Sequence, residues 1–188
     1  METMIEAPMN TCEPVRATSD AIPSPSRALT PPSAELAERF MRKVTWDERL
    51  TVYVYHPAPG AKSEWITEVG HLYNFLLGPA DMFILDPREL QKWVDAVLGD
   101  TELALEIGAL LGRLPEDDEN DISNRVWLEP DPERQAVARS AANAQIQQLA
   151  AVRAQIRQGA TRLLGERIAQ CVAALEIAQD RDHREDPI

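Results

Sequence analysis

The chain has 188 residues and a formal net charge of −12, with 44% hydrophobic but only 5% aromatic residues. That length supports one domain with a sizeable core, and the aromatic-poor, alanine-rich composition suits packed helices better than a β-sandwich. From Asp131 onward eight basic and eight acidic side chains cancel, so all of the net charge lies in the first 130 residues. An acidic surface repels phosphate backbones, which argues against general nucleic-acid binding.

Residues 1–32 read as a leader rich in Pro, Ser and Thr, with Pro8, Pro14, Pro23, Pro25, Pro31 and Pro32. Such a segment buries too little apolar surface to offset its ordering entropy. Its start is acidic and lacks the apolar run of a signal peptide. No segment approaches the ~20 apolar residues that span a bilayer, so the expected setting is soluble and cytoplasmic, with no membrane. Cys12 and Cys171 form neither a disulfide framework nor a zinc spacing.

Order is expected from Ser33, a good N-cap, followed by Leu36, Phe40, Met41 and Val44 at helical spacing. Leu50, Val52 and Val54 alternate with Thr51, Tyr53 and Tyr55, which predicts a strand with an aromatic outer face, ended by the Pro57–Gly60 turn. The pattern then predicts a helix over Glu64–Leu77, stopped by Gly78-Pro79, and a short strand over Met82–Leu85. Asp86-Pro87-Arg88-Glu89 combines an N-cap, a proline at the first helical position and an acid at the third. Leu90, Trp93, Val94, Val97 and Leu98 form the face of the helix that follows. Gly99 ends it, Asp100 caps the next, and that helix presents Leu103, Ile107, Leu110 and Leu111. Residues 115–132 read as a polar connector.

The stretch from Pro132 to Gln179 has no interior proline and two glycines, Gly159 and Gly165. It predicts a long helix, or a helical hairpin turning near Gln158–Thr161. The fold class is therefore α+β, predominantly α-helical, with a minor strand component. The domain reading is a leader (1–32), an α-rich domain (33–128), a long C-terminal helix or hairpin (129–180) and a polar tail (181–188).

No catalytic signature stands out, and no set of motifs carries a family resemblance. His56 and His71 lack a spaced third ligand, so a metal or acid–base site built with Asp81 or Asp86 is the weaker reading. In the acidic run Glu116–Asp121 the positions that a calcium loop gives to glycine and glutamate hold Ile122 and Leu128. The flanks of Cys171 supply no base, and no cofactor or metal is expected. Trp46, Trp65, Trp93 and Trp127 fall where core or interface anchors would.

The favoured function is a non-catalytic accessory or assembly subunit that binds a protein partner, in a homo-oligomer or a larger complex. The expected partner-binding stripe is Ile146, Leu149, Val152, Ile156, Leu163, Ile168, Val172 and Leu175, because an unbroken helix would overhang a small domain. The alternatives are a cytoplasmic chaperone or maturation factor holding a client peptide, and a small enzyme using His56 or His71.

Overall fold

The computed structural model describes residues 28–56, 60–78, 83–115 and 118–185. They form a predominantly helical α+β fold built on one long C-terminal helix. Helix α1 (Ala34–Met41) starts at Ser33, whose hydroxyl accepts the Leu36 N–H, and buries Ala37 and Phe40. A 3₁₀ turn over Trp46–Glu48 follows. Glu48 is held there by a two-pronged pair with Arg42 and by the Thr45 N–H, and these hold its carboxyl down at about 2.

Strand β1 (Leu50–His56) pairs antiparallel with β2 (Gly60–Ile66), in a register that sets Thr51 opposite Trp65 and Tyr53 opposite Ser63. A short strand β3 (Phe83–Ile84) pairs with the other edge of β1, giving the order β2-β1-β3. Leu50, Val52 and Val54 are buried as their alternation predicts, while Thr51 and Tyr53 face out. The expected helix over Glu64–Leu77 is corrected at its start. Glu64–Ile66 belongs to β2, and helix α2 spans Val69–Leu77. Cross-strand pairing with β1 decides the conformation of those three residues, over a local pattern that fits either period.

Helix α3 (Pro87–Trp93) starts at the expected Asp86-Pro87 signal, with Asp86 accepting the Arg88 N–H. It runs into a π turn over Val94–Leu98, closed by Gly99 at φ 76°. A π turn disturbs the ordinary carbonyl pairing. Arg39 of α1 and Arg42 just after it donate to the Ala96 and Val97 carbonyls there. Trp93 is buried and its indole N–H donates to the Glu48 carbonyl at 2.6 Å. Helix α4 (Thr101–Leu111) is capped by Asp100, which accepts the Leu103 N–H.

The connector expected over 115–132 holds a helix over half its length. Helix α5 spans Glu119–Trp127, opened by a reciprocal capping box between Asp118 and Asp121. Ile122 and Val126, one turn apart, supply its buried face. Asp131 then accepts the Glu133 N–H and opens α6 (Pro132–Glu185), a single helix of 54 residues. At 1.5 Å per residue it is about 80 Å long.

Gly159 and Gly165 do not break this helix. They are points of close approach. A Cβ at Gly159 would lie 2.8 Å from the Leu110 side chain of α4, and one at Gly165 would lie 3.0 Å from the Tyr73 ring of α2. Helix α6 thus packs along α1, α2, α4 and α5. Its C-terminal half closes the main core through Ala160, Leu163, Leu164 and Cys171. Its N-terminal half shares a second cluster with α5, made of Ile122, Val126, Ala142 and Leu149. Among the described residues, packing already includes Leu29, ahead of the boundary expected at Ser33, since Leu29 is buried in the main core. Burial of a leucine contributes roughly 1.5–3 kcal/mol.

Gly99 gives a direct check on the π turn. Alanine there would keep a left-handed φ and would set its Cβ 2.6 Å from the Arg39 guanidinium carbon. We expect Gly99→Ala to cost about 1–3 kcal/mol in urea unfolding. A Gly99→Ala chain as stable as the native one would mean that the turn is not strained.

Candidate interaction site

The eight residues of the expected partner stripe have different fates. Leu149, Ile156 and Leu163 are buried within the chain. Ile146 packs beside Leu149 in the second cluster, Ile168 and Leu175 lie half-buried against the main core, and Val152 is half-buried. Val172 alone of the eight is exposed, at 41%. Three of the strongest apolar positions therefore already have intrachain neighbours. Arg153, which interrupts the stripe, pairs with Glu119 of α5.

Arg167 interrupts the same stripe and is the centre of a buried polar node. Its side chain and that of Asp100 are each 1% exposed, with Nε 2.6 Å from the aspartate Oδ2. Nη2 donates to Glu102 at 2.8 Å, and Nη1 donates to the Thr30 carbonyl at 2.6 Å and to Gln170 Oε1 at 2.9 Å. Glu102 in turn accepts the Thr30 N–H at 3.0 Å and its hydroxyl at 2.8 Å. Desolvation pushes the Glu102 carboxyl upward, but the hydrogen bonds from Thr30 and Arg167 outweigh it and hold it below its ordinary value. The node joins α4, α6 and the segment before α1; Arg167 and Asp100 are its buried centre, and Thr30 and the partly exposed Glu102 form its rim.

The exposed counterpart is an aromatic cluster on the outer face of the sheet. Trp46 and Trp65 meet edge to face with centroids 4.9 Å apart. The Arg49 guanidinium sits 4.2 Å from the Trp46 ring centre and 5.9 Å from that of Trp65, and donates to the Trp46 carbonyl. These cation–π contacts fix the rings without covering them. Trp46 is 56% exposed, Trp65 44%, and Tyr53 50%. The strand register puts Tyr53 diagonal to Trp65 on one face, a separation of about 7–8 Å. Arg49 and the 3₁₀ turn carry no signal of this cluster in the sequence, because the turn meets β2 only through the hairpin register.

Other candidates resolve into structural roles. Asp86 caps α3, and Asp118 and Asp121 of the acidic run cap α5. His71 is exposed on α2; the side chains of His56 and Asp81 lie outside the described residues, as do Glu116 and Asp117. No group of three or more His, Cys, Asp or Glu among the described residues is placed to hold a metal ion. No described helix is long and apolar enough to cross a membrane. A shallow groove of about 350 Å³ lies between α2 and α6, lined by Tyr73, Leu77, Arg157 and Thr161 among others. Arg157 there donates to the carbonyls of Phe75, Leu76 and Gly78, closing the C-terminus of α2. Trp127 and Leu128, 74% and 79% exposed, end α5 beside the start of α6.

No protein-family model, curated protein or solved structure matches the chain.

Cys171 is buried, and desolvation pushes its thiol up to about 11. In a Cys12→Ser chain at pH 7.5 we expect no thiol to react with an aromatic disulfide reagent over an hour, and one thiol to react in denaturant. Rapid native labelling would contradict the packing of α6 on the core.

Proposed function

We propose that the chain is a non-catalytic interaction module that binds another protein through the Trp46–Arg49–Trp65 cluster and Tyr53. The supporting observation is that three large aromatics, Tyr53 and Trp65 on one sheet face and Trp46 in the turn against Trp65, stand about half-exposed in a chain poor in aromatics. Trp, Tyr and Arg are the residues that most often carry interface binding energy. Pre-ordering by ring contacts lowers the entropy cost of association. Leu149, Ile156 and Leu163, expected in a shared core, are already buried within the chain. The sheet face is therefore the better-supported surface, with Val172 and the tip formed by Trp127 and Leu128 as further exposed apolar ground. The binding is proposed to take place in the cytoplasm, as an accessory or assembly role.

A photo-crosslinking residue in place of Tyr53 tests this in cells. The expected result is crosslinking to one discrete protein, or to a second copy of the chain. Trp65→Ala should weaken that association by about thirtyfold or more, the effect of a hot-spot residue, while leaving the fold intact. Crosslinks that are no stronger than those from an exposed control position on α6, or that survive Trp65→Ala, would sink the reading.

A further inference from the structure

The segment before α1 is held as a bound peptide is held. Leu29 is buried in the core, and its carbonyl accepts the Gln170 amide at 3.0 Å. The next residue has its N–H and hydroxyl on Glu102 and its carbonyl on Arg167. All the hydrogen bonds described for Leu29 and Thr30 thus run to side chains of α4 and α6. These side chains read three successive backbone groups, one hydroxyl and one aliphatic anchor. Arg167, 1% exposed, supplies the charged group within hydrogen-bond distance of the strap. Pro31 and Pro32 follow, bring no N–H donors, and keep the segment extended.

We propose that the α4–α6 junction is a peptide-binding site, with Leu29 and Thr30 as its built-in occupant. Its outside ligand is an extended segment of another protein that carries an aliphatic residue followed by threonine. The aliphatic side chain fills the Leu29 position. The threonine N–H and hydroxyl engage Glu102, and its carbonyl engages Arg167. The chemistry of the ligand is taken from the strap that occupies the site. Serine keeps the hydroxyl contact, whereas valine at the second position loses it and leaves a Glu102 oxygen short of a donor. A tethered strap competes at millimolar effective concentration, so the native chain binds such a segment weakly until the strap lifts. This site is separate from the sheet-face cluster and does not depend on it.

The test uses the full chain carrying Leu29→Asp and Thr30→Gly, which ejects the strap, and a fluorescent peptide of residues 27–32. The expected result is saturable binding at least tenfold tighter than to the native chain, abolished by Glu102→Gln or by aspartate at the leucine position of the peptide. A folded, strap-ejected chain that does not bind the peptide overturns the proposal, as does equal binding of the aspartate peptide. If the double variant fails to fold, amide exchange of the native chain decides. A Thr30 amide that exchanges well ahead of the Leu163 and Leu164 amides supports an exchangeable strap. Exchange of all three together makes the strap an integral part of the fold and overturns the proposal. A concentration-dependent native dimer that Leu29→Asp abolishes would also overturn it, in favour of a second copy as occupant.

Discussion

The Arg167 guanidinium, buried against Asp100, ties together parts of the chain that no local signal connects. Asp100 both pairs with Arg167 and caps α4, so the same carboxylate fixes a helix start and the docking of α6. Arg167 also reaches the Thr30 carbonyl and Glu102, which brings the strap before α1 onto the same spot. A charge pair buried this deeply gains little over a well-packed apolar pair. Breaking it is costly, because the survivor stays in low dielectric without a partner. The node therefore acts as a specificity device, fixing the register of α6 along the head of the molecule.

Once α6 is fixed there, its two interior glycines are explained. Each costs about 1 kcal/mol in helix propensity relative to alanine. Gly159 admits Leu110 of α4 and Gly165 admits Tyr73 of α2, so the helix lies close against both its neighbours. The same helix then extends beyond the main core and is covered by α5 through Ile122, Val126, Ala142 and Leu149. Much of the apolar stripe is thus taken up by two clusters, Ile146 and Leu149 in one and Leu163, Ile168 and Leu175 in the other, and the exposed aromatic surface lies elsewhere, on and beside the sheet.

Much of the architecture was legible from local chemistry. Asp86-Pro87, Ser33, Gly99 and Asp100 all act as the caps their sequence contexts indicate, and the alternation over 50–55 gives β1. Strand β2 was not legible, because the pattern at the end of Gly60–Ile66 fits a helix as well as a strand and the segment takes its conformation from the pairing with β1. Helix α5 was masked by its Asp and Asn residues, which are poor helix formers inside a helix and good ones at its start. The role of Arg167 was not legible, because its partners Asp100 and Glu102 are far away in sequence. The aromatic cluster was hidden for the same reason, since Trp46 and Trp65 meet through a hairpin register.

The most direct test of this account is equilibrium urea unfolding of Arg167→Ala, Asp100→Ala and the double variant. If the node fixes α6, Arg167→Ala should cost about 3–5 kcal/mol. The double variant should lose clearly less than the sum of the two single ones, because neither charge is then left stranded. A loss below about 1 kcal/mol for Arg167→Ala, with simple additivity, would contradict the central role given to this pair.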